Sequence, residues 1–295
     1  MKGWRLGAGA IGLSACVPTF EGPVSRIDTP VVLAVEATPA EAAPGQTVTL
    51  RALFASPTPE NAPTLSFFAC TQPRPLDETF VVAASCASGA PGARSALGQA
   101  APERPLTFVV PQDACVTFGP VPAPNAQTPL RPPTPDATGG YHLPVLASPP
   151  TGFAAWARVR LRCPLPPAPV AAVRDFAARY TNNQNPDVGP LRIGGPPRAG
   201  QPLAVSVLLP ASAAEPFVRY DAALAKVVDA EESLRVSWYA TRGSVTPAET
   251  TTGSPPTEAT TTFVAEEPGP VRLWAVVRDS RGGVTWAAAD LVVDP

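Results

Sequence analysis

Apolar and polar positions alternate in several stretches of the chain, and that period of two predicts strands. In Gly45-Gln46-Thr47-Val48-Thr49-Leu50-Arg51-Ala52-Leu53-Phe54, the residues Val48, Leu50, Ala52 and Phe54 alternate with Thr47, Thr49 and Arg51. One face of such a strand meets a core and the other meets water. Val31-Val32-Leu33-Ala34-Val35 precedes it, and Thr64-Leu65-Ser66-Phe67-Phe68-Ala69-Cys70 follows a Pro-rich loop; both are further strand candidates. The second half has the same order. Gly200-Gln201 opens Pro202-Leu203-Ala204-Val205-Ser206-Val207-Leu208, and later Leu234, Val236 and Trp238 share one face while Arg235 and Ser237 face out.

Helical spacing is confined to residues 170–180, where Val173, Phe176, Ala177 and Tyr180 define an apolar stripe. A short helix between the halves is the expectation. Gly45-Gln46 and Gly200-Gln201 mark equivalent turns, and Ala155-Trp156-Ala157-Arg158-Val159-Arg160-Leu161 pairs with Leu273-Trp274-Ala275-Val276-Val277-Arg278 as a late strand in each half. The two halves read as a divergent duplication.

The last forty residues give the clearest pattern. Two strands, 271–278 and 284–293, flank Asp279-Ser280-Arg281-Gly282-Gly283, whose glycines supply the positive φ of a tight hairpin. With Pro268-Gly269 before them and Trp238 on an earlier strand, residues 190–295 resemble the immunoglobulin-like and PKD-like β-sandwiches of bacterial surface proteins. The Asp and Gly cluster of the PKD signature is replaced here by Tyr239-Ala240-Thr241-Arg242-Gly243. Trp238 and Trp274 are expected between the sheets, as such tryptophans are in this architecture. The expected fold is all-β, two immunoglobulin-like antiparallel β-sandwich domains joined by a short helix-containing linker, with a long irregular insertion in the first.

At 295 residues the chain has room for two domains, each with its own core. The domains expected are 30–168, with a Pro-rich insertion over 87–150, and 190–295, with the helical linker over 169–189. Thr181-Asn182-Asn183-Gln184-Asn185-Pro186-Asp187 ends the helix. An Asn/Asp cluster at a domain junction resembles the calcium linkers of cadherin-like repeats. It is also what a helix-ending turn uses, and with one acidic residue the turn is the reading adopted. The 22 Gly and 41 Pro make up about a fifth of the chain, below the share that signals a disordered low-complexity sequence. The 22 basic residues do not outnumber the 24 acidic ones, so there is no basic patch for nucleic acid.

The amino terminus carries Lys2 and Arg5, a short apolar stretch over 6–13, and Ser14-Ala15 before Cys16. That is the layout of an export signal and is too short to span a bilayer. Leu13-Ser14-Ala15-Cys16 resembles the lipobox of bacterial lipoproteins. The resemblance implies a signal peptide over 1–15, removed before Cys16, palmitate-type acyl chains on Cys16, and stable membrane anchoring through several chains. Val17, where Asp would retain a lipoprotein in the inner membrane, points to the outer membrane of a Gram-negative envelope. Residues 16–29 read as a tether.

Cys70, Cys86, Cys115 and Cys163 all fall in the first half, an even number in a chain bound for an oxidising compartment. Cys70 with Cys86 and Cys115 with Cys163 is one pairing; Cys70 with Cys163 belongs to another, and the sequence leaves the choice open. No C-x-x-C knuckle is present and His142 is the one histidine, so no metal site is expected.

The motifs of nucleophilic, metal-assisted and phosphate chemistry are missing from the sequence, and no catalytic residue or cofactor is assigned. The carboxylate doublets Asp77-Glu78, Glu231-Glu232 and Glu266-Glu267 read as solvated pairs, because neighbours on extended chain point to opposite faces. The Thr-rich run 246–262 reads as a loop. A long irregular stretch is usually functional or disordered, so the insertion, with Phe118, Tyr141 and His142, is the candidate binding surface. The resulting expectation is a lipid-anchored envelope protein with a non-catalytic binding, adhesive or structural role toward a protein or glycan at the cell surface. A cell-surface hydrolase with its site in the insertion, and an accessory subunit of an envelope complex, are the alternatives.

Overall fold

The computed structural model describes residues 25–58, 62–75, 78, 82–119, 141–165, 168–252 and 257–295. The signal sequence, Cys16, the tether to residue 24, and residues 120–140 of the insertion lie outside the described residues.

In chain order the first half carries β1 (Val31–Thr38), β2 (Glu41–Ala42), β3 (Thr47–Ala55), β4 (Leu65–Cys70), α1 (Ala84–Ser88), β5 (Arg94–Ala100), β6 (Leu106–Val109), α2 (Ala114–Phe118), β7 (Tyr141–Ser148) and β8 (Ala155–Leu161). They form two sheets, in the orders β1-β3-β6 and β2-β8-β7-β4-β5. Val48, Leu50 and Ala52 of β3 meet Leu65, Phe67 and Ala69 of β4, with Leu143, Val145, Val159 and Leu161 completing one core. Disulfides join Cys70 to Cys86 and Cys115 to Cys163. Each ties a one-turn helix, α1 or α2, to the sheet, and neither helix is long enough to hold itself.

The described residues of the expected irregular insertion include three strands, β5, β6 and β7, and the one-turn helix α2. The apolar run 106–110 stands out in the sequence and contains β6, but β5 and β7 are hidden for physical reasons. Pro144 sits inside β7, and a proline argues against a central strand. The register with β4 stops at Val145, so Pro144 faces a partner only on β8. β5 carries a single large apolar residue, Leu97, and a register shift between Phe67 and Phe68 of its partner breaks the alternation.

The second half follows α3 (Val170–Arg179) and carries β9 (Leu191–Ile193), β10 (Pro202–Leu208), β11 (Pro216–Asp221), β12 (Lys226–Glu231), β13 (Leu234–Ala240), β14 (Ser244–Thr246), β15 (Glu249–Thr251), β16 (Glu258–Val264), β17 (Gly269–Asp279) and β18 (Val284–Val293). Its sheets run β14-β16-β10-β9 and β15-β13-β17-β18, and β11 with β12 makes a separate hairpin. Leu234, Val236 and Trp238 meet Val205, Val207, Ala259 and Phe263 in the core, and Trp238 Nε1 donates to Thr250 Oγ1 at 3.1 Å. The Thr-rich run is not the expected loop but supplies β14, β15 and β16. In β16 the buried positions are Ala259, Thr261 and Phe263, and Thr261 satisfies its hydroxyl on Pro247 O, so polar composition concealed a strand.

The two halves share a topology. The order β1-β3-β6 matches β9-β10-β16, and β5-β4-β7-β8 matches β15-β13-β17-β18. Both are immunoglobulin-like sandwiches. Gly45 and Gly200, at φ +81° and +72°, occupy equivalent turns before β3 and β10. The pairing of 155–161 with 273–278 does not survive, because β8 occupies the place of β18 and β17 that of β7.

α3 lies on the β11–β12 hairpin through Ala172, Phe176 and Tyr180, which meet Val218, Tyr220 and Val227. Val173, expected on the buried stripe, is exposed. Residues 25–27, at the end of the expected tether, run beside β13: Ile27 N–H donates to Ala240 O, and Ala240 N–H to Ser25 O, each at 2.9 Å.

Candidate functional site

Both faces of β1 and β3 are covered, which a single sandwich cannot do. Leu33 and Ala34 of β1 with Leu53 and Ala55 of β3 turn away from their own core and meet Trp274, Val276 and Val284 of the second sandwich. Trp274 is therefore not between its own sheets, as expected, but between the domains; Trp238 and Trp274 point to opposite faces of one sheet. Asn185 bridges the halves, its Nδ2 donating to Ala37 O at 2.9 Å and its Oδ1 accepting from Val284 N–H at 3.0 Å.

Beside this apolar contact lies a buried polar cluster. The turn Asp279-Ser280-Arg281-Gly282-Gly283 builds its centre. Asp279 Oδ1 accepts from the backbone N–H groups of Arg281, Gly282 and Gly283 at 2.7, 2.7 and 3.0 Å, which fixes the turn. A Cβ at position 283 would fall 2.1 Å from Asp279 Oδ2 and 2.7 Å from Gln184 O, so glycine is required by close approach. The turn projects Arg281, which is fully buried, between the sandwiches.

Arg281 Nη2 donates to Thr181 O at 2.8 Å, to Tyr180 Oη at 3.0 Å and to Glu41 Oε2 at 3.3 Å, while Nη1 reaches Glu232 Oε1 at 3.4 Å and Glu215 Oε2 at 3.7 Å. Its guanidinium also lies over the Phe217 ring, 4.7 Å from the centroid. Arg160, fully buried on β8, pairs with Glu41 at 3.3 Å and donates to Arg281 O at 3.3 Å. Glu41 further accepts from Tyr180 Oη at 2.7 Å and from Asn183 N–H at 2.9 Å. Two cations thus face four carboxylates; those of Glu41, Glu232 and Asp279 are buried, and that of Glu215 is partly exposed.

Burial, ahead of that excess of acid, raises three carboxyls of the cluster. Burial, with the Asp279 charge adding to it, pushes Glu232 up to about 7. Burial likewise raises Asp279, against three backbone N–H donors that favour its ionised form, and raises Glu215. Glu232 is 4% exposed, which corrects the reading of Glu231-Glu232 as a solvated doublet: Glu231 faces out and Glu232 faces in, as alternation requires. Glu266 and Glu267 are exposed as expected, and Asp77 lies outside the described residues.

The residues of the expected binding surface are not brought together. Phe118 is buried in the first core rather than displayed, lining with Leu97, Phe108 and Val109 a cavity of about 290 Å³. Tyr141 packs half-buried on the same core. His142 points the other way and sets Nε2 3.5 Å from Arg281 O, at the junction. The Asn-rich linker also enters the junction, but the carboxylates around it hold the guanidinium of Arg281. Sequence reasoning did not single out Glu41, Arg160, Tyr180, Asn183 and Arg281; an arginine inside the apolar strand Ala157-Arg158-Val159-Arg160-Leu161 was the available signal.

No protein-family profile matches the chain, and no curated protein matches it. Solved structures do: the D0–D1 domain of intimin, at 10% identity over 90% of this chain and 99% of that one, has a TM-score of 0.25. The Yersinia pseudotuberculosis adhesin InvE matches at 10% identity over 89% of this chain and 58% of that one, with a TM-score of 0.25. The Clostridium thermocellum CbhA fibronectin(III)-like modules match at 8% over 88% and 94%, with 0.23. At these TM-scores the superpositions carry no argument, and the immunoglobulin-like assignment stands on the sheet orders and the two cores.

Proposed function

We propose that this chain is a lipid-anchored protein of a bacterial envelope, held through Cys16, whose two sandwiches act as one rigid unit in a non-catalytic binding or adhesive role toward a surface protein or glycan. The observation that carries the reading is the junction. Its perturbed carboxylates, which in an open cleft would mark a reactive site, are engaged within the fold, Glu232 and Glu215 with Arg281 and Asp279 with the turn that carries it, and Arg281 in turn meets Glu41 of the other domain. A fixed pair of sandwiches presents its loops at constant geometry, which keeps the ordering cost of binding low. The two disulfides fit a protein that matures outside the reducing cytoplasm. The lipobox and Val17 support outer-membrane anchoring.

Cells fed a palmitate analogue test the anchor: the wild type labels and Cys16→Ala does not, and equal labelling of both defeats it. Purified protein tests the role, with saturable binding to surface glycans or envelope proteins expected. Turnover of a cell-wall substrate by the same preparation would overturn it.

A further inference from the structure

β6 closes the sheet β1-β3-β6 on one side and, among the described residues, pairs with no strand on the other. Its ladder fixes which backbone groups stay open. Val110 N–H donates to Gln46 O at 2.9 Å, and the register continues with Val109 opposite Thr47, Phe108 opposite Val48 and Thr107 opposite Thr49. Hydrogen-bonded and non-hydrogen-bonded pairs alternate along an antiparallel ladder. Phe108 therefore bonds to β3, while the N–H and C=O groups of Thr107 and Val109 point out along the free edge. Both residues are exposed, Val109 at 59%.

The facing edge belongs to β5, the last strand of the other sheet. The two edges touch where Leu106 Cδ1 comes within 3.1 Å of the place that a Cβ on Gly98 would take. Beside that contact the cavity of about 290 Å³ lies between them, lined by Leu97 of β5, Phe108 of β6 and Phe118 of α2, with Ser95, Val109 and Asp113 also lining it. Pockets for whole small ligands span roughly 300–1,000 Å³, so this one suits a single large side chain. The Asp113 carboxylate has Thr117 Oγ1 at 3.5 Å and, among the described residues, no cation.

We propose that β6 and this cavity form a peptide site. An extended segment of a partner protein adds antiparallel along the β6 edge, sets an aromatic or large aliphatic side chain in the cavity, and brings a lysine or arginine two residues away, on the same face, toward Asp113. A residue opposite Phe108 on the added strand points its side chain to the face that Phe108 uses, which is the inward face occupied by the cavity. Thr107 and Val109 then supply two donors and two acceptors to the incoming backbone, the mode of β-strand addition. This assignment names a partner class for the binding role proposed above and rests on that role, though not on the lipid anchor.

The test is calorimetric titration of the full chain with the capped heptapeptide acetyl-Ser-Lys-Val-Phe-Val-Lys-Ser-amide. Saturable binding at one site is expected, weakened about tenfold or more when the peptide's Phe is replaced by Ala. Methylating the two Val backbone nitrogens, which face Thr107 and Val109, abolishes binding; methylating the Phe nitrogen, which faces away from β6, leaves it. Asp113→Asn weakens binding about fivefold and flattens its salt dependence. Val109→Pro removes an outward N–H without touching the β3 ladder, and it also abolishes binding. Absent binding, indifference to the peptide's Phe, or equal effects of all the methylations overturns the proposal, and none of these depends on a variant folding. A dimer of the wild type that Val109→Pro dissociates gives the edge to a second copy and likewise overturns it. Saturable binding of glycans or envelope proteins by a chain that ignores the peptide defeats this site alone and leaves the binding role standing.

Discussion

The guanidinium of Arg281 and the carboxylate of Glu41 meet at 3.3 Å across 240 residues of chain, one from the second sandwich and one from the first. Neither is exposed to water. A buried ion pair returns its desolvation only with further hydrogen bonds on both partners. Here Tyr180, Thr181, Asn183 and Arg160 supply them, all but Arg160 from α3 or the segment that follows it. The linker therefore does more than connect the domains: it completes the coordination of their shared charges.

Arg281→Met removes the central cation and leaves Glu41 and Glu232 buried with reduced compensation. Removing one partner of such a pair costs about 3–5 kcal/mol. Chemical unfolding of the variant is expected to show a loss of that size. A loss below about 1 kcal/mol, the range of exposed pairs, would mean that the junction is open to water in solution.

The pH dependence follows from Glu232. Its folded value lies above the ordinary one, so the folded protein binds the proton more tightly than the unfolded chain does. Stability from this group is complete below 4.5, falls as pH rises from there through about 7, and has gone above it. The raised values of Asp279 and Glu215 act in the same direction. Thermal unfolding midpoints should decline over that window, and Glu232→Gln should decline less steeply. A midpoint that rises with pH contradicts the assignment.

The strands of the two cores were legible because alternation survives wherever one face is wet, as in β10 and β13. It failed where both faces are covered or where the inward residues are not apolar. Leu53 and Ala55 break the period of β3 because the second sandwich covers its outer face. Thr261 broke that of β16 because a threonine faces the core. The junction was nearly invisible for a related reason. Its charges come from β2, β8, the residue before β11, the residue after β12 and the β17–β18 turn, each carrying one or two polar residues that look solvated in isolation.

Trp238 and Trp274 sit on the same sheet with opposite duties, and substitution should separate them. Truncating a buried tryptophan costs about 3–5 kcal/mol. Trp238→Ala, inside the core with Phe263 and Leu234, should lower the unfolding transition of the second sandwich itself. Trp274→Ala instead empties the contact with Leu33 and Leu53 and should split one cooperative calorimetric transition into two. A single lowered transition in both variants would refute the distinction.

The two disulfides close loops of different size, with 16 residues separating Cys70 from Cys86 and 48 separating Cys115 from Cys163. Loop-closure entropy makes the first worth about 3 kcal/mol and the second about 4 kcal/mol in the chain-entropy account. Their positions amplify the difference. Cys86 ties down a helix whose neighbour Arg94 already donates to Cys86 O and Ala87 O, so the short loop keeps other restraints when the bond is cut. Cys115 joins α2 to the segment just after β8, the strand that carries Arg160, and so steadies the first-domain side of the junction. Replacing Cys115 and Cys163 with alanine should therefore lower stability more than replacing Cys70 and Cys86. It should also raise amide exchange at Leu161 and Asn183, and an exchange increase confined to α2 would show that the bond does not reach the junction.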